Sequence, residues 1–181
     1  MQLLYIVLVY YGTMADITVS QENDALFMEK DNGLQLKIEV LTDTIHLNQP
    51  LPIKAVLTNC GNEPVMINKR LAVGYENSLS REIYVTITKE GDQTAAAYHP
   101  VDINRDFSPI GDYKLLYPQN SVSTTFDLFD FYRVLAPGRY RLAFYYEAGE
   151  PLAKAPDNVY KGRVNSQVVS IEVLPGILPE N

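Results

Sequence analysis

The chain has 181 residues, a formal charge of −7 and a sequence pI near 4.8. This acidic balance argues against a nucleic-acid surface, which needs clustered Lys and Arg. Hydrophobic residues make up 46% of the chain and charged residues 20%, which argues against global disorder. The length predicts one domain with a substantial core.

The first residues have the features of an export signal. The apolar run at residues 3–11 is too short to span a bilayer but has the length of a signal-peptide core, and small residues near Ala15 suit cleavage. Because a positive start is missing, a strand in this region, or a true start at Met14, stays open. We favour a signal peptide at 1–15 and a periplasmic or secreted protein. A start at Met14 would mean a cytoplasmic one.

Residues 16–33 are polar and predict a lead-in segment or an edge strand that ends in a turn at 31–33. Beyond it, apolar and polar residues alternate in short segments separated by Gly, Pro and Asn, the pattern of half-buried strands. No segment shows helical periodicity over three turns, although a short helical turn is expected at 127–132. The alternating segments are 34–40, 53–57, 65–67, 83–87, 122–128, 140–146 and 169–173, with a further candidate at 113–117.

The segment from Pro137 to Tyr146 is the centre of this pattern. Pro137 and Gly138 form a turn, and the following strand places Tyr140 and every second residue after it on one face. A tyrosine just inside such a turn is typical of immunoglobulin-type sandwiches, where its hydroxyl bonds nearby backbone. We therefore predict an all-β, immunoglobulin-like antiparallel β-sandwich at 34–174. It should have about seven to nine strands and long loops, and a C-terminal tail at 175–181 should follow it.

Three segments together resemble bacterial immunoglobulin-like modules. They are 51–61, which ends in Thr58, Asn59, Cys60 and Gly61, then 121–128, then 135–140 with its Pro-Gly-x-Tyr. The arrangement is similar to that of the bacterial intracellular proteinase inhibitor family and of the non-catalytic β-sandwich that precedes some lysine-specific metalloendopeptidases. The segment 159–168 resembles the last hairpin of such modules. The resemblance covers roughly 34–173 and speaks to fold more than to activity.

The function that the resemblance implies is non-enzymatic. The chain has no His-Glu-x-x-His zinc motif, nucleophile elbow or phosphate-binding loop. We expect a module that acts in protein recognition or as a structural component, with a protein partner, no nucleic acid and no stable membrane span. The alternative is a proteinase inhibitor that presents a loop to a protease, although no reactive loop can be recognised in the sequence.

Two sets of residues are candidates for binding. Asp102, Asn104 and Asp106 have the spacing that opens a calcium loop, but Phe107 stands where the turn glycine belongs, so a solvated acidic loop is the alternative. No cofactor is expected otherwise. The second set comes from the surplus of tyrosines, which favours a recognition surface on the loops 94–118 and 147–165, or else strand faces and edges. Its candidate residues are Tyr98, Tyr113, Tyr117 and Tyr160.

Other reactive side chains have structural explanations. The carboxylate pairs Asp127/Asp130 and Glu147/Glu150 flank turns, where capping or solvation explains them better than general acid–base chemistry. Cys60 is the single cysteine, so no internal disulfide can form, and we expect it to be buried or half-buried at a strand end.

Overall fold

The structure is a computed structural model, and it describes residues 33–74, 81–92, 97–98, 112–133, 136–147, 156 and 158–176. The predicted leader at 1–15 and all of the lead-in segment except Gly33 lie outside these ranges. Within them there are thirteen strands and a single turn of 3-10 helix at Leu128–Asp130. No helix in the described ranges is long and apolar enough to cross a membrane.

The strands are numbered in chain order. They are β1 (Leu34–Val40), β2 (Thr44–His46), β3 (Pro52–Asn59), β4 (Val65–Asn68), β5 (Val73–Gly74), β6 (Ile83–Lys89), β7 (Ala97–Tyr98), β8 (Tyr113–Leu116), β9 (Ser121–Asp127), β10 (Tyr132–Arg133), β11 (Gly138–Glu147), β12 (Arg163–Asn165) and β13 (Val169–Leu174).

Two principal sheets form the fold. The first has the order β1-β3-β9, and the second has the order β2-β13-β11-β6-β5, with β12 added to one end of β11. Pairing is antiparallel except for β13 with β2 and β6 with β5. Two small two-stranded sheets, β4-β8 and β7-β10, complete the described structure. The protein is thus an immunoglobulin-like β-sandwich, as its alternating segments predict.

The core lies between the inner faces of the two sheets. In β3, Ile53, Ala55 and Leu57 are fully buried, and in β11 the same alternation buries Leu142 and Phe144. The opposite face of β11 carries Arg139 and Arg141, both exposed. The period of two therefore gives each central strand one dry face and one wet face, as half-buried antiparallel strands require.

The predicted tyrosine corner is present. The hydroxyl of Tyr140 donates a hydrogen bond of 2.6 Å to the carbonyl of Ala136, four residues earlier. Gly138 has φ +146, and a Cβ at this position would lie 2.6 Å from the side chain of Lys89. The positive φ favours glycine at this position, because a residue with a side chain would be strained there, and the Tyr140 bond fixes the direction in which β11 leaves the turn.

Candidate recognition surface

Two turns lie side by side at one end of the first sheet. The β3–β4 turn follows Asn59 and contains Cys60, Gly61 and Glu63, and the β8–β9 turn runs from Tyr117 to Asn120. We call these two turns the tip. The tip is held by the strand pairing, since β3 lies between β1 and β9, and β8 leads into β9 through the second turn.

Asn59 fixes both turns from below. Its side chain is fully buried, and its Nδ2 donates hydrogen bonds of 2.8 Å to the carbonyls of Glu63 and Leu116. Its Oδ1 accepts a bond of 2.9 Å from the amide of Gly61. One amide side chain thus satisfies backbone groups from the β3–β4 turn and from the end of β8, which joins the two turns into one unit.

The backbone of Asn59 adds two further bonds to the same unit. Its carbonyl accepts a bond of 2.7 Å from the amide of Gln119, and its amide donates one of 3.0 Å to the carbonyl of Asn120. Gln119 has φ +64, a left-handed conformation that is costly for a residue with a side chain. The β8–β9 turn is therefore held in a specific shape by the strand beneath it.

Tyr117 is the large side chain that the tip presents. It is 55% exposed, although it directly follows the fully buried Leu116. Its carbonyl accepts a bond of 3.0 Å from the amide of Asn120, which closes the turn around Pro118. The ring is therefore displayed on a backbone that is already fixed, so its binding would cost little conformational entropy.

The other predicted binding tyrosines lie elsewhere. Tyr160 is only 7% exposed, and the centroid of its ring lies 6.4 Å from that of Tyr146. It therefore contributes nothing to an exposed surface. Tyr113 is half-buried in β8, and burial raises its pKa above the ordinary value. Tyr98 belongs to β7, but its side chain lies outside the described part of the structure. The structure therefore does not gather the four tyrosines on one described surface.

The candidate calcium ligands Asp102, Asn104 and Asp106 lie outside the described residues. Within the described ranges, no group of three or more His, Cys, Asp or Glu side chains has an arrangement that could hold a metal ion.

A buried carboxylate holds the loop between β4 and β5. Glu82 is 1% exposed, and its oxygens accept bonds from Asn68 Nδ2 (3.0 Å), the amide of Ala72 (2.8 Å) and the guanidinium of Arg70. Burial raises the pKa of Glu82, against the opposing effect of Arg70 and of the Ala72 amide. The Nη1 atom of Arg70 also lies 3.9 Å from Oδ2 of Asp112. These contacts satisfy the carboxylate with groups of the fold itself.

The carboxylates named from the sequence have structural partners where they are described. Asp127 Oδ1 caps the 3-10 turn through the amide of Phe129 (3.0 Å) and accepts a second bond from Leu51 (2.9 Å). Asp127 and the exposed Asp130 both line a shallow groove of about 480 Å³. Glu147 pairs with Arg163 at 3.1 Å. Glu150 lies outside the described residues.

Cys60 differs from the sequence expectation. The residue is exposed, because it follows the last residue of β3, and its Sγ lies 3.6 Å from Gln35 Oε1. His46, in β2, contacts the carbonyl of Pro175 through Nδ1 at 2.7 Å.

The fold and the tip together define a small immunoglobulin-like β-sandwich with a braced turn pair at one end. No protein-family model matches the sequence, and no curated protein matches it either. The resemblance to the proteinase inhibitor family and to the metalloendopeptidase sandwich is therefore not supported.

Several solved structures are distantly similar. A CARDB domain from Pyrococcus furiosus, in complex with di-metal ions, is 14% identical with a TM-score of 0.37, covering 78% of this chain and 93% of that domain. A β-glucosidase from Listeria innocua is 14% identical with a TM-score of 0.40, covering 80% of this chain but only 16% of the enzyme. AvmM, which catalyses macrocyclisation in alchivemycin A biosynthesis, is 8% identical with a TM-score of 0.35, covering 83% of this chain and 93% of that protein. At these identities and TM-scores, none of the three assigns an activity to this chain.

Proposed function

We propose that this protein is a non-enzymatic recognition module that binds a protein partner through the tip, with Tyr117 as the central contact. The observation that carries the proposal is the exposed Tyr117 ring on a turn fixed by the buried Asn59. Large aromatic side chains on rigid supports are favoured at binding hot spots, because they give contact area at little entropic cost.

The surroundings of Tyr117 suit such a contact. Pro118 adds a rigid neighbour, and Gln119 and Asn62 add exposed amides that can donate and accept hydrogen bonds at the rim. The bond from the Gln119 amide to the Asn59 carbonyl holds the left-handed φ of Gln119, so the groups around Tyr117 are presented in one fixed arrangement.

The test compares two equally exposed side chains. Leu41 is 55% exposed like Tyr117, but it lies beyond the opposite end of β1. The purified protein is immobilised and incubated with extract of its source organism, and retained proteins are quantified by mass spectrometry for wild type, Tyr117→Ser and Leu41→Ser. A partner that binds through the tip should fall at least about tenfold with Tyr117→Ser and stay constant with Leu41→Ser. A set of retained proteins that Tyr117→Ser leaves unchanged would refute the tip as the binding surface.

The non-enzymatic part of the proposal has its own test. Asp127 already serves as a cap, so the exposed Asp130 is the carboxylate of the groove that is available for chemistry. A panel of hydrolase substrates should show no turnover above buffer. Turnover that disappears in Asp130→Asn, while Asp43→Asn keeps it, would overturn the non-enzymatic assignment.

We also propose that the protein is exported and that residues 1–15 are removed. The support is the apolar run of residues 3–11 and the small residues before Asp16. N-terminal sequencing of the protein from its source organism should begin near Asp16. A protein that begins at Met1 or Met14 and fractionates with the cytoplasm would contradict export.

A further inference from the structure

Strand β9 is the edge of the first sheet. It pairs with β3 over its whole length, from Ser121 opposite Thr58 to Asp127 opposite Pro52. The bonds that bracket this pairing run from the amide of Asn59 to the carbonyl of Asn120 and from the amide of Leu128 to the carbonyl of Leu51. Even-numbered residues of this segment therefore direct their backbone groups at β3. Because the backbone N–H and C=O groups of successive residues point to opposite sides of a strand, those of Ser121, Ser123 and Thr125 point away from β3.

The other side of β9 is open in the described structure. No described strand pairs with it, and the side chains of Ser121, Ser123 and Thr125 are all exposed. The inner face is also incompletely covered. Val122 and Phe126 are only half-buried, whereas Leu57 and Ile53, opposite them on β3, are fully buried. An added strand would therefore gain both hydrogen bonds and apolar contact.

The other strands at the ends of the two principal sheets are either contacted by a side chain or short. The free side of β1 is contacted by Gln167, whose Nε2 donates a bond of 3.1 Å to the carbonyl of Ile38. In the second sheet, the edge strands β2 and β5 have only three and two residues. By contrast, β9 has seven residues with no Pro, Gly, Lys or Arg among them. Long edges without such residues are the ones that pair with another chain.

We propose that β9 pairs antiparallel with β9 of a second copy of this chain, around a twofold axis through Thr124. In this register Thr124 faces its own symmetry mate, Val122 faces Phe126, and Ser123 faces Thr125. The one carboxylate of the strand, Asp127, faces Ser121, so no like charges oppose each other. The seven residues pair over about 24 Å and join two three-stranded sheets into a continuous six-stranded sheet.

The sequence of β9 favours a second copy of this chain over an unrelated strand as the partner of this edge. The strand is complementary to itself in the full-length register, because its aromatic residue meets a β-branched one and its hydroxyl residues meet each other. An isologous contact of this kind closes on itself, because it uses the β9 edge of both copies. The two tips then point away from each other at opposite ends of the dimer, which would make the protein bivalent. The pairing itself does not depend on Tyr117.

The first experiment measures self-association by sedimentation equilibrium, from about 1 μM to about 1 mM, the range expected of a small interface. The variants are Ser123→Pro and, as its matched control, Ser123→Ala. Since the Ser123 amide faces the open side, proline removes no bond within the monomer but blocks the pairing. Wild type and Ser123→Ala should form dimers with the same dissociation constant, and Ser123→Pro should weaken it at least about tenfold. If Ser123→Pro fails to fold by urea titration, Thr125→Lys replaces it with the same expectation.

The second experiment tests the register in the Cys60→Ser background. Two Thr124 residues in a non-hydrogen-bonded pair would have Cα atoms about 4.5 Å apart, within the range of a disulfide. Thr124→Cys should therefore cross-link the dimer on mild oxidation, whereas Val122→Cys, which faces Phe126, should not. A wild-type protein that is monomeric at every concentration would overturn the proposal. So would a dimer unaffected by Ser123→Pro, open-ended polymers, or the binding of a peptide with the β9 sequence to a protein that stays monomeric.

Discussion

Replacing Asn59 with alanine tests the central structural claim, that one buried amide holds two turns together. The substitution removes three hydrogen bonds: a buried one to the carbonyl of Leu116, and two part-buried ones with Glu63 and Gly61. A buried carbonyl without a partner costs about 1–3 kcal/mol, and each of the other bonds contributes about 0.5–1.5 kcal/mol. The backbone bonds of Asn59 remain, so we expect a loss of about 2–6 kcal/mol in the free energy of unfolding.

Urea unfolding followed by far-UV circular dichroism and tyrosine fluorescence measures this loss, since the chain has 13 Tyr and no Trp. Asn62→Ala is the matched control, because Asn62 is an exposed asparagine in the same turn and should change stability by less than about 0.5 kcal/mol. Asn59→Asp keeps the acceptor for Gly61, but it buries a carboxylate whose second oxygen faces the carbonyls of Glu63 and Leu116, so it should be no more stable than Asn59→Ala. An Asn59→Ala protein within 1 kcal/mol of wild type would refute the reasoning.

Three further substitutions test other bonds of the fold. Tyr140→Phe removes the corner bond to Ala136 and should cost about 1 kcal/mol in urea unfolding, while Tyr117→Phe costs almost nothing. Glu82→Gln places an amide NH₂ against groups that now donate hydrogen bonds to the carboxylate. The free energy of unfolding should therefore fall by about 2–4 kcal/mol in the same assay, and an unchanged urea midpoint would contradict this. Burial raises the pKa of Tyr146 above its ordinary value of 10. Above pH 10 the Tyr146 hydroxyl loses its proton in the unfolded chain but keeps it in the folded chain, so the free energy of unfolding falls as pH rises. The stability difference between wild type and Tyr146→Phe should therefore shrink by up to about 1.4 kcal/mol per pH unit, and a constant difference up to pH 11 would refute it.

The strands with clear alternation could be predicted from the sequence. In β11, the residues from Tyr140 to Tyr146 alternate between buried and less buried positions, because a strand against a core has no other way to bury a continuous apolar face. The corner bond of Tyr140 could also be predicted, since it needs only the local turn and the start of a strand. The helical turn expected at 127–132 is confirmed as a 3-10 turn capped by Asp127.

The short elements could not be predicted, because they carry no periodicity of their own. The strands β2 and β12 have three residues each, and they form because β13 and β11 present unpaired edges to them. Eight strands have four residues or more in the described structure, which is the range that alternation can detect. The burial of Tyr160 likewise depends on a long-range contact with Tyr146, and nothing in the local sequence indicates it.

The tip was only partly visible in the sequence. In the sequence, the Thr-Asn-x-Gly segment at Thr58–Gly61 indicates only a resemblance that the comparisons do not support, whereas in the structure its role is the set of hydrogen bonds made by Asn59. The sequence gives no way to rank Tyr117 against the other three candidate tyrosines, because their exposure is decided by tertiary packing. Exposure is a property of the assembled fold, so a sequence with a surplus of tyrosine cannot say which ring remains in water.

The conformation of Gln119 connects these features. A glycine or asparagine would adopt its φ of +64 at lower cost than glutamine. The bond from its amide to Asn59 O holds the strained backbone in place, and the same turn carries the exposed ring of Tyr117. A positive φ also occurs at Asn48 and Leu71, so this backbone conformation alone does not distinguish a binding turn from a structural one. The proposed role of the tip therefore depends on the exposed ring of Tyr117, and the comparison of Tyr117→Ser with Leu41→Ser tests it.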